Sequence, residues 1–238
     1  MLEQIENRAR TLIKSSKLKV ALGRIAYCVL PNRGRIALAS FPRSGNTWMR
    51  VLLESASGQL TGSIYANDGI HSRGPDGLVI KTHSKDSFRY EKAIVLVRNP
   101  FDSIDSYFAL QKNYFNNQAL SWEEHVFAAV KELKEHHVHW KSARCETLNL
   151  KFETLKETPH AVLKEVFQML ELEVADDKIE KAISNSTISK IKNDSPEKGQ
   201  AVVRTGLVGK GITSFDEQQQ KYVRSELQEF IKDYDYQK

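Results

Sequence analysis

Short apolar runs at 35–40, 78–81, 93–97 and 147–152 alternate along the 238-residue chain with stretches of helical periodicity, and this alternation constrains the fold more than any other feature. Helical spacing is clearest over 47–57, 102–113, 122–141, 159–172 and 216–232, with Ser121 ahead of Trp122-Glu123-Glu124 and Thr158-Pro159 as helix starts. Strands separated by helices pair in parallel and need helices on both faces. The expected class is therefore α/β, in three layers, with a mainly parallel central sheet flanked by helices. A chain of this length buries one sizeable core, so 1–238 reads as one domain: a basic helical extension over 1–34, a core over about 35–215 and a C-terminal helix over about 216–232.

The junction after the first run carries the chemistry. Phe41-Pro42-Arg43-Ser44-Gly45-Asn46-Thr47-Trp48 lies between a strand and the helix that begins near Thr47. A tight loop there turns successive N–H groups, the positive end of the helix dipole, an Arg and several short polar side chains toward one concavity, which suits a phosphate or a sulfate. The loop has the position of a Walker A motif without its ending: Gly45-Asn46-Thr47 replaces Gly-Lys-Ser/Thr, and the cation comes early, at Arg43. The usual means of organising a metal-bound triphosphate is missing.

Further segments follow in order: Lys81-Thr82-His83 after the second strand, Arg98-Asn99-Pro100 with Asp102 and Ser106-Tyr107 after the third, Phe152-Glu153-Thr154-Leu155-Lys156 after the fourth, and Arg204-Thr205-Gly206-Leu207-Val208-Gly209. An Arg at a strand end and a Ser about two turns into the next helix together suit a phosphate. His83 has the side chain whose ordinary pKa lies nearest neutrality, and Lys81 shares its face by two-residue alternation.

The set resembles the sulfotransferases that use 3′-phosphoadenosine-5′-phosphosulfate (PAPS) and release adenosine 3′,5′-bisphosphate (PAP), and five motifs in order cover most of the chain. The resemblance implies a P-loop-like sulfotransferase fold and transfer of a sulfuryl group from PAPS to a hydroxyl, or an amine, of a small-molecule or carbohydrate acceptor, with no metal. On this reading His83 is the general base, Lys81 steadies the sulfuryl oxygens, and Arg43 stands where the cytosolic family carries a loop Lys that assists the leaving phosphate. Donor-binding positions are Arg43, Ser44, Gly45, Asn46, Thr47, Trp48, Arg98, Ser106, Ser186, Ile188, Arg204, Thr205 and Gly206. Trp48 corresponds to an adenine-stacking ring. Ile188 stands where the family has a second aromatic, and Lys210-Gly211-Ile212 replaces the Asp-Trp-Lys that closes the last signature.

Composition narrows the remaining choices. Two cysteines, Cys28 and Cys145, fit no disulfide framework or zinc spacing, so a reducing cytoplasm is expected. The first thirty residues are broken by Arg8, Arg10, Lys14, Lys17, Lys19 and Arg24 and lack the uninterrupted apolar core of a signal peptide, so the stretch is expected to be a helix packed on its own domain, or else a basic amphipathic helix for peripheral contact with a membrane. The net charge of +5 fits a polyanionic ligand, and nucleic acid is not expected as a partner. His136, His137 and His139 read as a solvated helix face, His125 as an isolated residue, and His71 as part of a loop cover over 58–77; a second such cover spans 184–210. Two other functions stay open: a P-loop small-molecule kinase, and a non-catalytic module binding a nucleotide or an anionic surface.

Overall fold

The computed structural model describes residues 34–65, 76–187, 190 and 206–237. Its centre is a five-stranded sheet in the order β2-β3-β1-β4-β5, formed by β1 (Ile36–Ser40), β2 (Gly62–Ser63), β3 (Ile80–Thr82), β4 (Lys92–Val97) and β5 (Glu146–Lys151). Every pairing is parallel, with Ala37 opposite Ile80 on one side and Ala93 on the other.

Alternation along the strands sorts the core into two. Leu38, Ile94, Leu96 and Leu150 join α1 (Asn46–Ser57), α5 (Pro159–Met169) and α6 (Asp176–Asn185) on one face. Ala37, Ala39, Ala93, Val95 and Val97 join α2 (Pro100–Asn113), α3 (Trp122–Lys141), α7 (Glu217–Glu226) and α8 (Gln228–Asp233) on the other. Each wholly buried Leu or Ile contributes about 2 kcal/mol. The three-layer parallel architecture expected from the alternation is the one observed.

Several boundaries differ from the expected ones, each for a local reason. The fourth strand ends at Lys151, and Phe152 opens a short helix, α4 (Phe152–Glu157), where its ring packs under the first loop. The helix expected to reach residue 172 ends at Met169, beyond which Glu171 takes a left-handed φ of 54°. The C-terminal helix is two helices, broken at Leu227, whose φ of −105° and ψ of 24° leave the helical region while its side chain is buried. α6 escapes sequence reading because it buries only Ile179 and Ala182, a stripe too thin to register, and β2 has no apolar residue at all. α3 runs over the expected residues, held at its start by a reciprocal cap between Ser121 and Glu124.

Candidate active site

β1 lies between β3 and β4, so the chain leaving its carboxyl end stands at the point where the strand order diverges, where parallel sheets open a crevice. The loop 41–45 fills that point. Arg43 (φ 71°) and Gly45 (φ 95°) are both left-handed and flank the buried Ser44. For Arg43 this conformation costs about 1 kcal/mol. Gly45 is the N-cap of α1, no side chain caps the helix, and no acidic residue lies in its first turn, so the N–H groups of Asn46, Thr47 and Trp48 and the positive dipole end stay available to an anion. A Cβ at Gly45 would lie 2.4 Å from Cδ2 of Phe152, so loop and ring are in van der Waals contact.

Asn46 is turned inward. Its Nδ2 donates to the Leu38 carbonyl (2.9 Å) and to Ser40 Oγ (3.2 Å), which ties the start of α1 to β1. Trp48 is half-buried; its indole N–H donates to the Ser186 carbonyl (2.8 Å), and its ring meets Phe152 edge-on at 6.0 Å.

The third motif folds back onto the first. Arg43 Nε donates to Ser106 Oγ at 3.0 Å, and Arg98 donates to the Arg43 carbonyl (3.0 Å) and the Leu207 carbonyl (2.7 Å) with its guanidinium 4.7 Å above Phe152. A cavity of about 260 Å³ opens there, lined by Arg98, Ser106, Gly206 and Lys210 among others. Its far wall is held by Asp102, whose two carboxylate oxygens accept from the N–H groups of Gly209 and Gly211, each at 2.7 Å. Gly211 is required by this approach, since a Cβ would stand 2.4 Å from the Phe101 carbonyl oxygen. Lys156 adds a bond to the Gly206 carbonyl at 2.9 Å.

Lys81 and His83 converge from β3. The imidazole Nδ1 lies 2.6 Å from the Ser40 carbonyl, which can only accept, so Nδ1 carries the proton and Nε2 the lone pair in the neutral ring. Tyr65 organises this corner: its hydroxyl accepts from the His83 N–H (2.8 Å), its ring stacks on the imidazole at 5.4 Å, and Lys81 Nζ lies 5.8 Å from its centroid. Behind them α3 clamps the exit of β3, with Trp140 Nε1 donating to the Ser84 carbonyl, His139 Nε2 accepting from the Ser87 N–H, and Lys85 paired with Glu135.

The histidine stretch is not a solvated face. His136 and His137 are buried at 4% and 5% exposure, and burial, reinforced by the neighbouring His83, pulls His136 down to about 3. His125 is also buried, its Nε2 lying 2.9 Å from the Ile104 carbonyl, and burial lowers its pKa. Among the described residues no group of three metal-ligating side chains occurs. Also among them, no helix is long and apolar enough to cross a membrane.

The structure thus brings together Arg43, Ser44, Gly45, Asn46, Thr47, Trp48, Lys81, His83, Arg98, Ser106, Ser186 and Gly206 around the crevice. Ile188, Arg204, Thr205, His71 and the extension before Gly34 lie outside the described residues. Sequence reading missed Tyr65, which has no motif, and the work of two residues it had named. Phe152 underlies Gly45, Arg98 and Trp48 together. Glu153 accepts from the Asn99 N–H (2.9 Å) and from the Tyr236 hydroxyl (2.7 Å), fixing the turn that carries Arg98.

Comparison with known proteins adds the following. The family model described as "Sulfotransferase domain" matches residues 71–235. The chain is 33% identical over 156 residues to WSCD family member CG9164 of Drosophila melanogaster, covering 57% of this chain and 49% of that protein. It is 30% identical over 163 residues to WSCD family member AAEL009094 of Aedes aegypti, covering 59% and 51%. It spans about half the length of the curated relatives it matches. Among solved structures, mouse sulfotransferase SULT7A1 complexed with PAP superposes with a TM-score of 0.71 at 19% identity, over 93% of this chain and 91% of that one. Retinol dehydratase in complex with androsterone and the inactive cofactor PAP superposes with a TM-score of 0.67 at 16% identity, over 87% and 83%. These likenesses establish the fold.

Proposed function

The chain belongs to the sulfotransferase domain family, and from that premise we propose that it transfers a sulfuryl group from PAPS to a hydroxyl of a small-molecule or carbohydrate acceptor, with His83 as general base. The observation that supports this reading is the seat of His83 on the Ser40 carbonyl, one residue before the loop at Phe41, which puts the ring proton on Nδ1 and leaves Nε2 as the basic nitrogen.

The crevice has the chemistry that such a donor needs. The uncapped start of α1, the Gly45 turn and Arg43 suit the 5′-phosphosulfate; Arg98, Ser106 and the loop at Gly206 suit the 3′-phosphate; Trp48, fixed through Ser186, offers a ring face to adenine. Ile188, Arg204 and Thr205 belong to the same assignment by their positions in the motifs. When bound, PAPS supplies a sulfuryl group activated by a phosphate leaving group. The protein's part is to hold the acceptor oxygen in line, remove its proton at His83 Nε2, and place positive charge from Lys81 and Arg43 where negative charge grows. Arg43 presents a planar fork where a Lys would present a mobile point charge, so its contact with Ser106 links the two phosphate sites through one rigid group.

Thermal stabilisation by PAP, compared with ATP and magnesium, tests the donor assignment through ligand linkage. PAP is expected to stabilise and ATP to have little effect; the reverse pattern would favour a kinase and reject this function. His83→Ala is expected to retain the PAP shift and lose about 10²- to 10⁴-fold in transfer of labelled sulfate, the usual contribution of a positioned base. A variant that kept the wild-type rate would remove His83 from its role.

A further inference from the structure

We infer that Tyr65 is a positioning residue for the transfer step: its ring holds the His83 imidazole in one orientation and stabilises the positive charge that His83 acquires on taking the acceptor's proton. The inference rests on the assignment of His83 as general base above and goes beyond it to the group that sets that base.

Tyr65 reaches His83 by strand register. β2 and β3 run parallel with Ser63 opposite Lys81. The pairing continues past β2, since the Ile64 N–H donates to the Lys81 carbonyl at 3.3 Å; Tyr65 lies two residues beyond Ser63, as His83 lies two beyond Lys81. Alternation then puts Tyr65, Lys81 and His83 on one face of the sheet. The Tyr65 N–H donates to Ser63 Oγ at 3.1 Å, which fixes the backbone from which the ring projects.

The phenol ring lies 5.4 Å from the imidazole with 29° between the planes, an offset stack and not an edge contact. Its hydroxyl accepts from the His83 N–H at 2.8 Å, and Nζ of the buried Lys81 lies 5.8 Å from its centroid. The imidazole is therefore held twice, by Nδ1 on the Ser40 carbonyl and by one face on Tyr65. A bond at Nδ1 alone lets the ring swing about it; the stack removes that freedom and fixes Nε2. In the transfer the acceptor's O–H proton passes to Nε2, the oxygen's electron pair forms the bond to sulfur, and the bond from sulfur to the phosphate oxygen breaks, its pair leaving with PAP. His83 becomes an imidazolium in a corner that already holds Lys81. The negative face of the phenol ring lowers the energy of that cation, which an aliphatic side chain cannot do.

Three substitutions test this. Tyr65→Phe keeps the ring, while Tyr65→Leu and Tyr65→Met fill the space without a π face, each serving should the other not fold. In histidine-labelled protein, with the His83 signal identified by its loss in His83→Ala, imidazole nitrogen NMR is expected to show one Nδ1-protonated tautomer in wild type and Tyr65→Phe, and a mixture in Tyr65→Leu and Tyr65→Met. Transfer of labelled sulfate to 2-naphthol, methyl β-galactoside or water should fall about tenfold in kcat for Leu or Met, with KM for PAPS and the PAP thermal shift unchanged, and Phe should recover most of that loss. In a His83→Ala background the same substitutions should cost little more, because a residue acting through His83 has nothing left to set. An unchanged tautomer in the Leu and Met variants, an equal loss in both backgrounds, or a loss in Tyr65→Phe as large as in Tyr65→Leu would overturn this role and leave sulfotransfer intact. Failure of PAP to stabilise the wild type, together with no release of labelled sulfate, would instead reject the underlying function, and the inference with it.

Discussion

Gly45 shows how much of the site turns on a single backbone position. Its φ of 95° and the 2.4 Å approach of Phe152 to an added Cβ are separate obstacles to any side chain. Gly45→Ala is expected to lose roughly 2–4 kcal/mol, from left-handed strain together with overpacking, measured by urea denaturation. Adding Phe152→Leu should recover the packing part and leave the strain; a double variant no more stable than Gly45→Ala alone would show that the ring contact is not the cause. Residue identity made some of this legible. A glycine between a strand and a helix start, beside Arg43 and Thr47, pointed to a tight turn at the end of β1, and the turn is there. That Asn46 turns back onto Leu38 and Ser40 was not readable, because nothing local distinguishes an Asn facing a ligand from one tying down a strand.

At the level of elements, the proposed donor crevice depends on the start of α2 holding the loop at 206–211. α2 begins with Asn99 capping Phe101 N–H and, one turn in, presents Asp102 to the loop that follows residue 205. Asp102→Ala would leave two backbone donors without their acceptors, each bond to a charged group contributing about 1.5–3 kcal/mol. Faster proteolytic cleavage within 206–211 and at least tenfold weaker PAP binding are expected, with the circular dichroism of the sheet unchanged. Unaltered cleavage and affinity would show that the loop is held by other means. The order of strands and helices was readable because alternation and 3.6-residue periodicity are written locally. α4 was not: a six-residue helix has too little period to see, and its start is set by Phe152 packing under a loop more than a hundred residues earlier. Tyr65 was invisible for a similar reason, since its partners Lys81 and His83 come from a different strand.

For the molecule as a whole, α3 couples stability to pH. His125, His136 and His137 are all buried with lowered pKa, burial being the main cause in each, and His136 falls from 6.5 to about 3. Below pH 6.5 the unfolded chain takes up protons that the folded one refuses, so this stability is present above 6.5 and is lost as pH falls toward 3. His136 alone should remove about 2 kcal/mol between pH 6.5 and 5. Urea titrations at both values check this against His136→Phe, which should flatten the dependence; an equal slope in the variant would exclude His136 as its source. That helices cover both faces of the sheet was evident from the alternation of strands and helices, but the burial of this histidine stretch was not, because charged neighbours such as Lys131, Lys134 and Glu135 mask it in sequence. The crevice proposed for the donor, finally, holds many of its polar groups in internal pairs: Arg43 with Ser106, Arg98 with two carbonyls, Lys156 with a third. A ligand entering there trades existing bonds for new ones of the same kind, so the heat released on binding would be small for the affinity gained, and specificity would come from the shape of an already ordered frame.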